Sequence, residues 1–366
     1  MKAEIIAVDD LTERELAAWA ALGARAISPN PFAEPDFVLP AARGLRVRDV
    51  GVLVVRERDE WQLATPVRRQ RLWYGVPGRC LTVWRHDYSF LGTPLVGEDR
   101  TEPALAAMMQ RALAETPTFV IDLLDGDGRL AAPLAATMGA SAQLVTLRDF
   151  ARPMLRRGAD GHPTLRMSSR HRADHRRTAR RLREHLGTVD IQDSSADAAA
   201  YERFLAMEAA GWKGAAGTAL ACDPGHAEFF RDMCRRFARA GRLELLSLGS
   251  EEQTAAMMCN LRAGEGTFGF KMTYDESLAR FEPGIQLIIG CVEHFDRTDA
   301  AWLDSCAESD NHTLARMWQD TRRVSTTVAV RAGIAAAPVR AKWSIAASAR
   351  PLRVRMRARW AWARRL

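Results

Sequence analysis

The spacing of apolar and polar positions over the first part of the chain predicts an α/β domain. An amphipathic helix is expected over 12–22, with Thr12 as its cap and Glu15 at the capping-box spacing. Alternating runs at 50–55 and 61–68 are typical of two strands joined by a polar turn. A helix and a buried strand are predicted again after residue 100, so helices and strands alternate along this part of the chain.

The second part of the chain has a different order of predicted elements. Helices come first, then a meander of three strands, then another helix and a short strand. This order favours a mixed sheet over an all-parallel one. The helices are predicted over 165–186, 196–211 and 225–240, and the strands over 243–248, 254–261 and 267–274.

The connection after the third meander strand is a candidate anion site. It contains Pro283 and Gly284, and an apolar helix follows from Ile285. Pro and Gly at a helix start leave the first backbone N–H groups exposed and let a ligand approach closely. Those N–H groups and the helix dipole favour an anion such as a pyrophosphate. The alternative is an ordinary strand-turn-helix connection.

Composition and charge narrow the class of protein. With 366 residues, 47% of them hydrophobic and 27% charged, the chain is expected to form two globular domains or one large one. It shows no leader-like segment and no apolar run of about 18 residues, which predicts a cytoplasmic protein. The six scattered cysteines are expected to be reduced thiols, and no residues have the spacing of a metal site.

The positive charge is concentrated in two segments. The net charge is +7, but residues 321–366 hold twelve Arg or Lys and no acid, which leaves −5 on the rest of the chain. The tail 330–366 is either a solvated terminus or a segment that contacts anionic membrane lipid on the inner face through arginine and tryptophan. The basic helix over 166–183 is either solvated or faces a phosphate-rich ligand.

Four segments together resemble the GNAT superfamily of N-acyltransferases. The closer resemblance is to the bacterial branch with two GNAT-like domains, called cellulose-biosynthesis-type or FemABX-like. The similarity covers 160–325 well and 1–150 loosely. Of the usual pyrophosphate loop, Arg280 and Gly284 are present, with the acidic Glu282 between them. The four segments are Ser169–Leu182, Glu208–Gly214, Phe270–Asp275 with Phe281–Gly284, and Trp302–Cys306 leading to Met317 and Trp318.

The resemblance implies two GNAT-like domains with mixed, mostly antiparallel sheets flanked by helices, at 1–150 and 160–325, before the basic tail. It implies transfer of an acetyl or longer acyl group from acyl-CoA, without a metal, to an amine or hydroxyl. The acceptor would be a small molecule, a sugar or a cell-envelope precursor. Two alternatives are a FemABX-like transferase that uses aminoacyl-tRNA, and a non-catalytic module that binds polyanions or a membrane surface.

The resemblance also suggests roles for individual residues. Glu208 would be the general base, with Asp304 as the second choice, and Tyr274 would protonate the leaving thiolate. Each has a structural alternative: a surface glutamate for Glu208 and a strand tyrosine for Tyr274. Trp212 would otherwise be a core residue, and Asp275 a turn residue. The pyrophosphate would contact Arg280, Gly284, Ile285 and Gln286, and the acceptor would contact Trp212, Lys213 and Asp275.

Overall fold

The computed structural model describes residues 1–73, 76–137, 142–307 and 311–331, together with positions 333 and 341. The chain forms two compact units. The first contains residues 1–151 and 322–366, and the second contains 152–321. The sequence analysis assigned 160–325 to the second domain, whereas the structure returns the chain to the first unit at residue 322. The roles predicted for the tail fall almost wholly outside the described residues.

The first unit begins with a strand and two helices and continues with a meander. Its elements are β1 (Lys2–Ala7), α1 (Glu13–Ala24), α2 (Pro35–Gly44), β2 (Val50–Glu57), β3 (Glu60–Trp73), β4 (Val76–Val83), β5 (Leu95–Val96), α3 (Thr101–Glu115), β6 (Thr118–Asp125) and α4 (Ala131–Ala136). The strand β7 (Ala142–Arg156) carries the chain into the second unit.

The second unit contains the predicted helices and meander. Its elements are α5 (Ser169–Leu186), β8 (Asp190–Asp193), α6 (Ala198–Ala210), α7 (Trp212–Ala215), α8 (Pro224–Arg239), β9 (Leu243–Gly249), β10 (Thr254–Ala263), β11 (Gly266–Tyr274), α9 (Pro283–Asp296), β12 (Trp302–Asp304) and α10 (His312–Met317). The strand β13 (Asp320–Arg331) then returns the chain to the first unit.

The sheet of the first unit runs β1-β2-β3-β4-β6-β13. Its strand pairs are antiparallel except for β4 and β6, which are parallel. The helix α3 packs Leu105 and Met108 into a core with Leu53, Leu63 and Phe119 from the strands. Burying these side chains on one face of the sheet supplies the main stabilisation of the unit.

The sheet of the second unit runs from the end of β7 through β12, β11, β10 and β9 to β8. The pair β11 and β12 is parallel, and the others are antiparallel. One face packs Leu246 against Leu287 of α9 and Leu182 of α5. On the other face, Phe230 of α8 stacks on Phe270 of β11. The predicted mixed α/β architecture is confirmed.

Local capping signals fix the ends of two predicted helices. Thr12 accepts a hydrogen bond from the Glu15 N–H at 3.3 Å and donates its own N–H to the Glu15 carboxylate at 2.9 Å, which completes the capping box. Ser168 caps α5 by accepting from the His171 N–H at 3.2 Å. The helix ends at Gly187, whose φ of +81° suits glycine. Among the described residues, no helix is both long and apolar enough to cross a bilayer.

Candidate active site

The strands β11 and β12 pair over only a short distance. Gly266–Phe268 pairs with Trp302–Asp304, while β11 continues along β10 to Tyr274. A bulge places Phe270 as an extra residue in β11, because Cys259 pairs with Lys271 and Asn260 with Gly269. Residues 270–274 of β11 therefore extend beyond the stretch that pairs with β12. The edge of this segment that faces away from β10 is called the outer edge below, and its backbone groups are available to side chains or a ligand.

A buried carboxylate lies beside this strand. Glu208, near the end of α6, is 1% exposed. Its Oε1 accepts hydrogen bonds from Lys271 Nζ at 2.7 Å and from Lys213 Nζ at 3.3 Å. Its Oε2 accepts from the Leu220 N–H at 2.8 Å. Two ammonium groups thus compensate the cost of burying one carboxylate.

Lys213 also contacts the outer edge of β11 directly. Its Nζ donates a 2.7 Å hydrogen bond to the carbonyl oxygen of Met272. Burial lowers the pKa of Lys213, and the neighbouring Lys271 lowers it further, while Glu208 acts in the opposite direction. The result is an amine whose proton is held less tightly than that of a surface lysine.

The segment between α6 and α8 positions Lys213. After the predicted helix over 196–211, the structure forms a further short helix, α7, at the start of this segment. Gly214 is required here, because an added Cβ would lie 1.8 Å from the Ala209 carbonyl oxygen. Trp212 is 59% exposed rather than a core residue, and its N–H donates to Glu276 Oε1 at 2.6 Å.

The start of α9 lies against the end of β11. A Cβ built on Gly284 would be 3.6 Å from both Met272 Cε and Tyr274 Cδ1. The half-buried Tyr274 and Gly284 are therefore neighbours.

The predicted pyrophosphate donors are only partly available. The N–H groups of Ile285 and Gln286 both donate to the Glu282 carbonyl oxygen, at 3.0 and 3.1 Å. Gln286 also donates its side-chain Nε2–H to the Phe281 carbonyl at 2.8 Å, and the exposed Arg280 stacks over the Phe281 ring at 4.7 Å. Of the predicted group, Gly284 keeps the backbone N–H that is most open to an anion.

The acidic Glu282 does not cover this helix start directly. It has a left-handed backbone conformation, with a φ of +52°. Its Oε2 is 3.3 Å from Nδ1 of His175 on α5. The carboxylate is thereby drawn toward a basic helix, which reduces its repulsion of a phosphate bound at the helix start.

Asp275 initiates a turn. It caps the 3-10 helix over Glu276–Phe281 by accepting from the Ser277 N–H at 2.9 Å, and it also accepts from Gln253 Nε2 at 3.1 Å. Burial acts to raise the pKa of Asp275, but the hydrogen bonds from Ser277 and Gln253 outweigh it and hold the pKa below its ordinary value. This geometry suits the turn alternative.

Asp304 is fully buried at the end of β12. Its two oxygens accept from Nε and Nη2 of Arg152 at 2.8 and 2.6 Å. One oxygen also accepts the Cys306 N–H at 2.9 Å. Cys306 has a φ of +51°, and there the chain turns away from the sheet. The bidentate ion pair suits Asp304 for fixing this turn rather than for accepting a substrate proton.

Two of the contributing residues had no assigned role in the sequence analysis. Lys271 was quoted there only as part of a motif, and Arg152 was not singled out. A lysine inside an otherwise apolar strand is the signal that points to Lys271, because a buried ammonium needs a partner. For Arg152, the sequence carries no such signal, since Asp304 lies 152 positions away.

Comparison with known proteins shows what the chain is similar to. Residues 169–314 match the family model described as "Acetyltransferase (GNAT) domain". This part of the chain is therefore similar to GNAT-type acetyltransferase domains. No curated protein matches the sequence.

Solved structures share the fold over nearly the whole chain. FemX has a TM-score of 0.57 at 10% identity, covering 90% of this chain and 97% of FemX. L-PGS from Bacillus licheniformis has a TM-score of 0.52 at 12% identity, covering 92% and 96%. The C-terminal domain of a protein designated lysylphosphatidylglycerol synthetase, from Agrobacterium fabrum, has a TM-score of 0.53 at 10% identity, covering 91% and 96%. At these identities the likeness concerns the fold alone.

Proposed function

We propose that this protein transfers an acyl group from acyl-CoA to an amine or hydroxyl at the outer edge of β11. The observation that carries the proposal is the lysine pair held there by Glu208. Lys213 contacts the Met272 carbonyl, and Lys271 lies one residue before it. Positive charge beside an open strand edge suits the negative charge that develops on a thioester oxygen during transfer.

Glu208 acts in this proposal through the lysines. Both of its oxygens already accept hydrogen bonds, so it is a positioning residue that fixes Lys213 and Lys271. Lys213 first loses its own proton, which its lowered pKa favours, and as a neutral amine it then accepts the proton of the attacking amine or hydroxyl, while Lys271 keeps the positive charge. The exposed Trp212 beside it contributes to binding the acceptor.

Tyr274 and the start of α9 serve the donor. The Tyr274 ring contacts the position of Gly284, so that its hydroxyl would protonate the leaving thiolate near the helix start. The Gly284 N–H and Arg280 would bind a phosphate of the carrier. The acceptor is proposed to be a small molecule, a sugar or a cell-envelope precursor.

A calorimetric titration with acetyl-CoA and a longer acyl-CoA tests the donor. Gly284→Glu should abolish saturable binding, because it adds a carboxylate at the helix start. Gly284→Ala is the matched control and should bind normally, since its Cβ would make only ordinary 3.6 Å contacts. If neither thioester binds to the wild type, the acyl-CoA donor is refuted.

The second candidate donor is aminoacyl-tRNA. It is favoured by the run of exposed arginines along α5 and by the resemblance to FemABX-like proteins, some of which use this donor. Binding to tRNA should weaken steeply with salt, because several phosphates release counterions when arginines bind them. Transfer from charged tRNA, with no transfer from acyl-CoA, would decide for this alternative.

A further inference from the structure

A cavity of about 730 Å³ lies between α5 and α9 in the second unit. On α5, the lining residues Arg172, His175, Arg176, Ala179 and Arg183 follow one face of the helix. The opposite wall is lined by residues of α9 and the residue directly after it, namely Gln286, Ile289, Gly290, Glu293 and Arg297. Apart from Gln286, this wall shares no residue with the proposed acyl-transfer site.

Small residues at the middle of both walls create this space. Ala179 occupies the centre of the α5 stripe, and Gly290 occupies the centre of the α9 stripe. Gly290 also lets β8 approach closely, because an added Cβ would lie 1.6 Å from Ile191 Cδ1. Ile191 thereby becomes part of the cavity floor, which a larger residue at 290 would displace.

The floor of the cavity is apolar and only partly covered by protein. Leu165, Met167, Ile191 and Ile289 all line it and are all half-buried. The lining contains no Phe, Tyr or Trp. An aliphatic floor suits a hydrocarbon chain, whereas nucleobases are usually bound by stacking on aromatic rings.

The rim of the cavity is basic. Arg172, Arg176, Arg183 and Arg297 outnumber the two acids of the lining, which are Asp190 and Glu293. Within the described part of the chain, Arg176 and Arg183 form no ion pair, so their charges are available to a ligand.

His175 also lines the cavity. Its Nδ1 is buried and makes no aligned hydrogen bond to any described residue, although Glu282 Oε2 is 3.3 Å away.

We infer that this cavity binds an anionic amphiphile, namely a phosphate ester that carries a single aliphatic chain. The arginines of the rim bind the phosphate by charge-assisted hydrogen bonds, and the aliphatic floor holds the chain. The cavity volume falls within the range of small-molecule sites. This inference goes beyond the proposed acyl transfer and does not depend on it.

Titration calorimetry with decyl phosphate, kept below its critical micelle concentration, tests the inference on the full chain. We expect saturable binding that weakens about tenfold or more in Arg176→Glu. Arg181→Glu is the matched control, because Arg181 is exposed on the same helix and does not line the cavity. Ala179→Phe should also remove binding by filling the cavity, and circular dichroism will verify that this variant folds.

Three outcomes would overturn the inference. The first is an absence of binding to the wild type. The second is an equal loss in Arg176→Glu and Arg181→Glu, which would indicate unspecific attraction to the whole helix. The third is equal affinity for inorganic phosphate or for the uncharged decyl maltoside, since either result would remove one half of the recognition. Because the readout is binding, these outcomes are independent of whether acyl transfer is found.

Discussion

Replacing the buried Glu208 by glutamine tests how the lysine pair is held. The variant keeps the shape of the side chain but leaves the ammonium groups of Lys271 and Lys213, 2.7 and 3.3 Å from Oε1 in the native protein, without a counter-charge. Removing one partner of a buried ion pair costs roughly 3–5 kcal/mol. Lys271→Met should cost less, about 1–3 kcal/mol, because Lys213 still neutralises Glu208.

The double variant Glu208→Gln/Lys271→Met measures the coupling directly. Its free energy of unfolding should fall by less than the sum of the two single losses, because the methionine also removes one of the stranded charges. Urea unfolding gives the total effect. Hydrogen exchange of the α6 and β11 amides should locate the loss in the second unit.

A surface carboxylate provides the control for this experiment. Glu228 is exposed and pairs with Arg235 at 2.8 Å, so Glu228→Gln should change stability by no more than about 1 kcal/mol. The buried network does not hold the lysines as described if Glu208→Gln lowers the free energy of unfolding by no more than Glu228→Gln does. The same conclusion follows if the losses of Glu208→Gln and Lys271→Met simply add in the double variant.

Three further predictions concern the same unit. Gly214→Ala should destabilise the protein by at least about 2 kcal/mol in urea unfolding, because its Cβ would lie 1.8 Å from the Ala209 carbonyl oxygen. An unchanged free energy of unfolding would contradict this close approach of the two backbone segments. Asp304→Asn should cost roughly 3–5 kcal/mol by leaving Arg152 charged and buried, and an unchanged melting temperature would refute this. In a pH profile of turnover, the acid limb should report the lowered pKa of Lys213. In Glu208→Gln this limb should move to lower pH, because the substitution removes a negative charge that raises the pKa of Lys213. A shift of the limb to higher pH would exclude Lys213 as the proton acceptor.

Several parts of the fold were predictable because the signals act between residues close together in the chain. The capping box of Thr12 and Glu15 and the glycine stop at Gly187 both depend on contacts within one helical turn. The Pro283–Gly284 helix start depends on the chemistry of two adjacent residues. The alternating patterns of the meander determined its strands in the same way.

Other features depend on partners that are distant in the sequence. From the sequence, Glu208 was either a general base or a surface glutamate, and only the fold brings Lys271, 63 positions away, to its carboxylate. Asp304 looked like a candidate base until Arg152 paired with it. The strand β13 was not predicted, and it pairs with β6 although some 200 residues of chain separate the two. A residue pattern carries no information on which distant partner will neutralise a charge.

The sequence by itself determined many of the helices and strands, the mixed α/β class and the resemblance to two GNAT-like domains, because these follow from local periodicity and short motifs. Only the tertiary structure decided which buried charged groups pair with one another. Burial makes an unpaired charge costly, so the packed protein pairs Glu208 with Lys213 and Lys271, and Asp304 with Arg152.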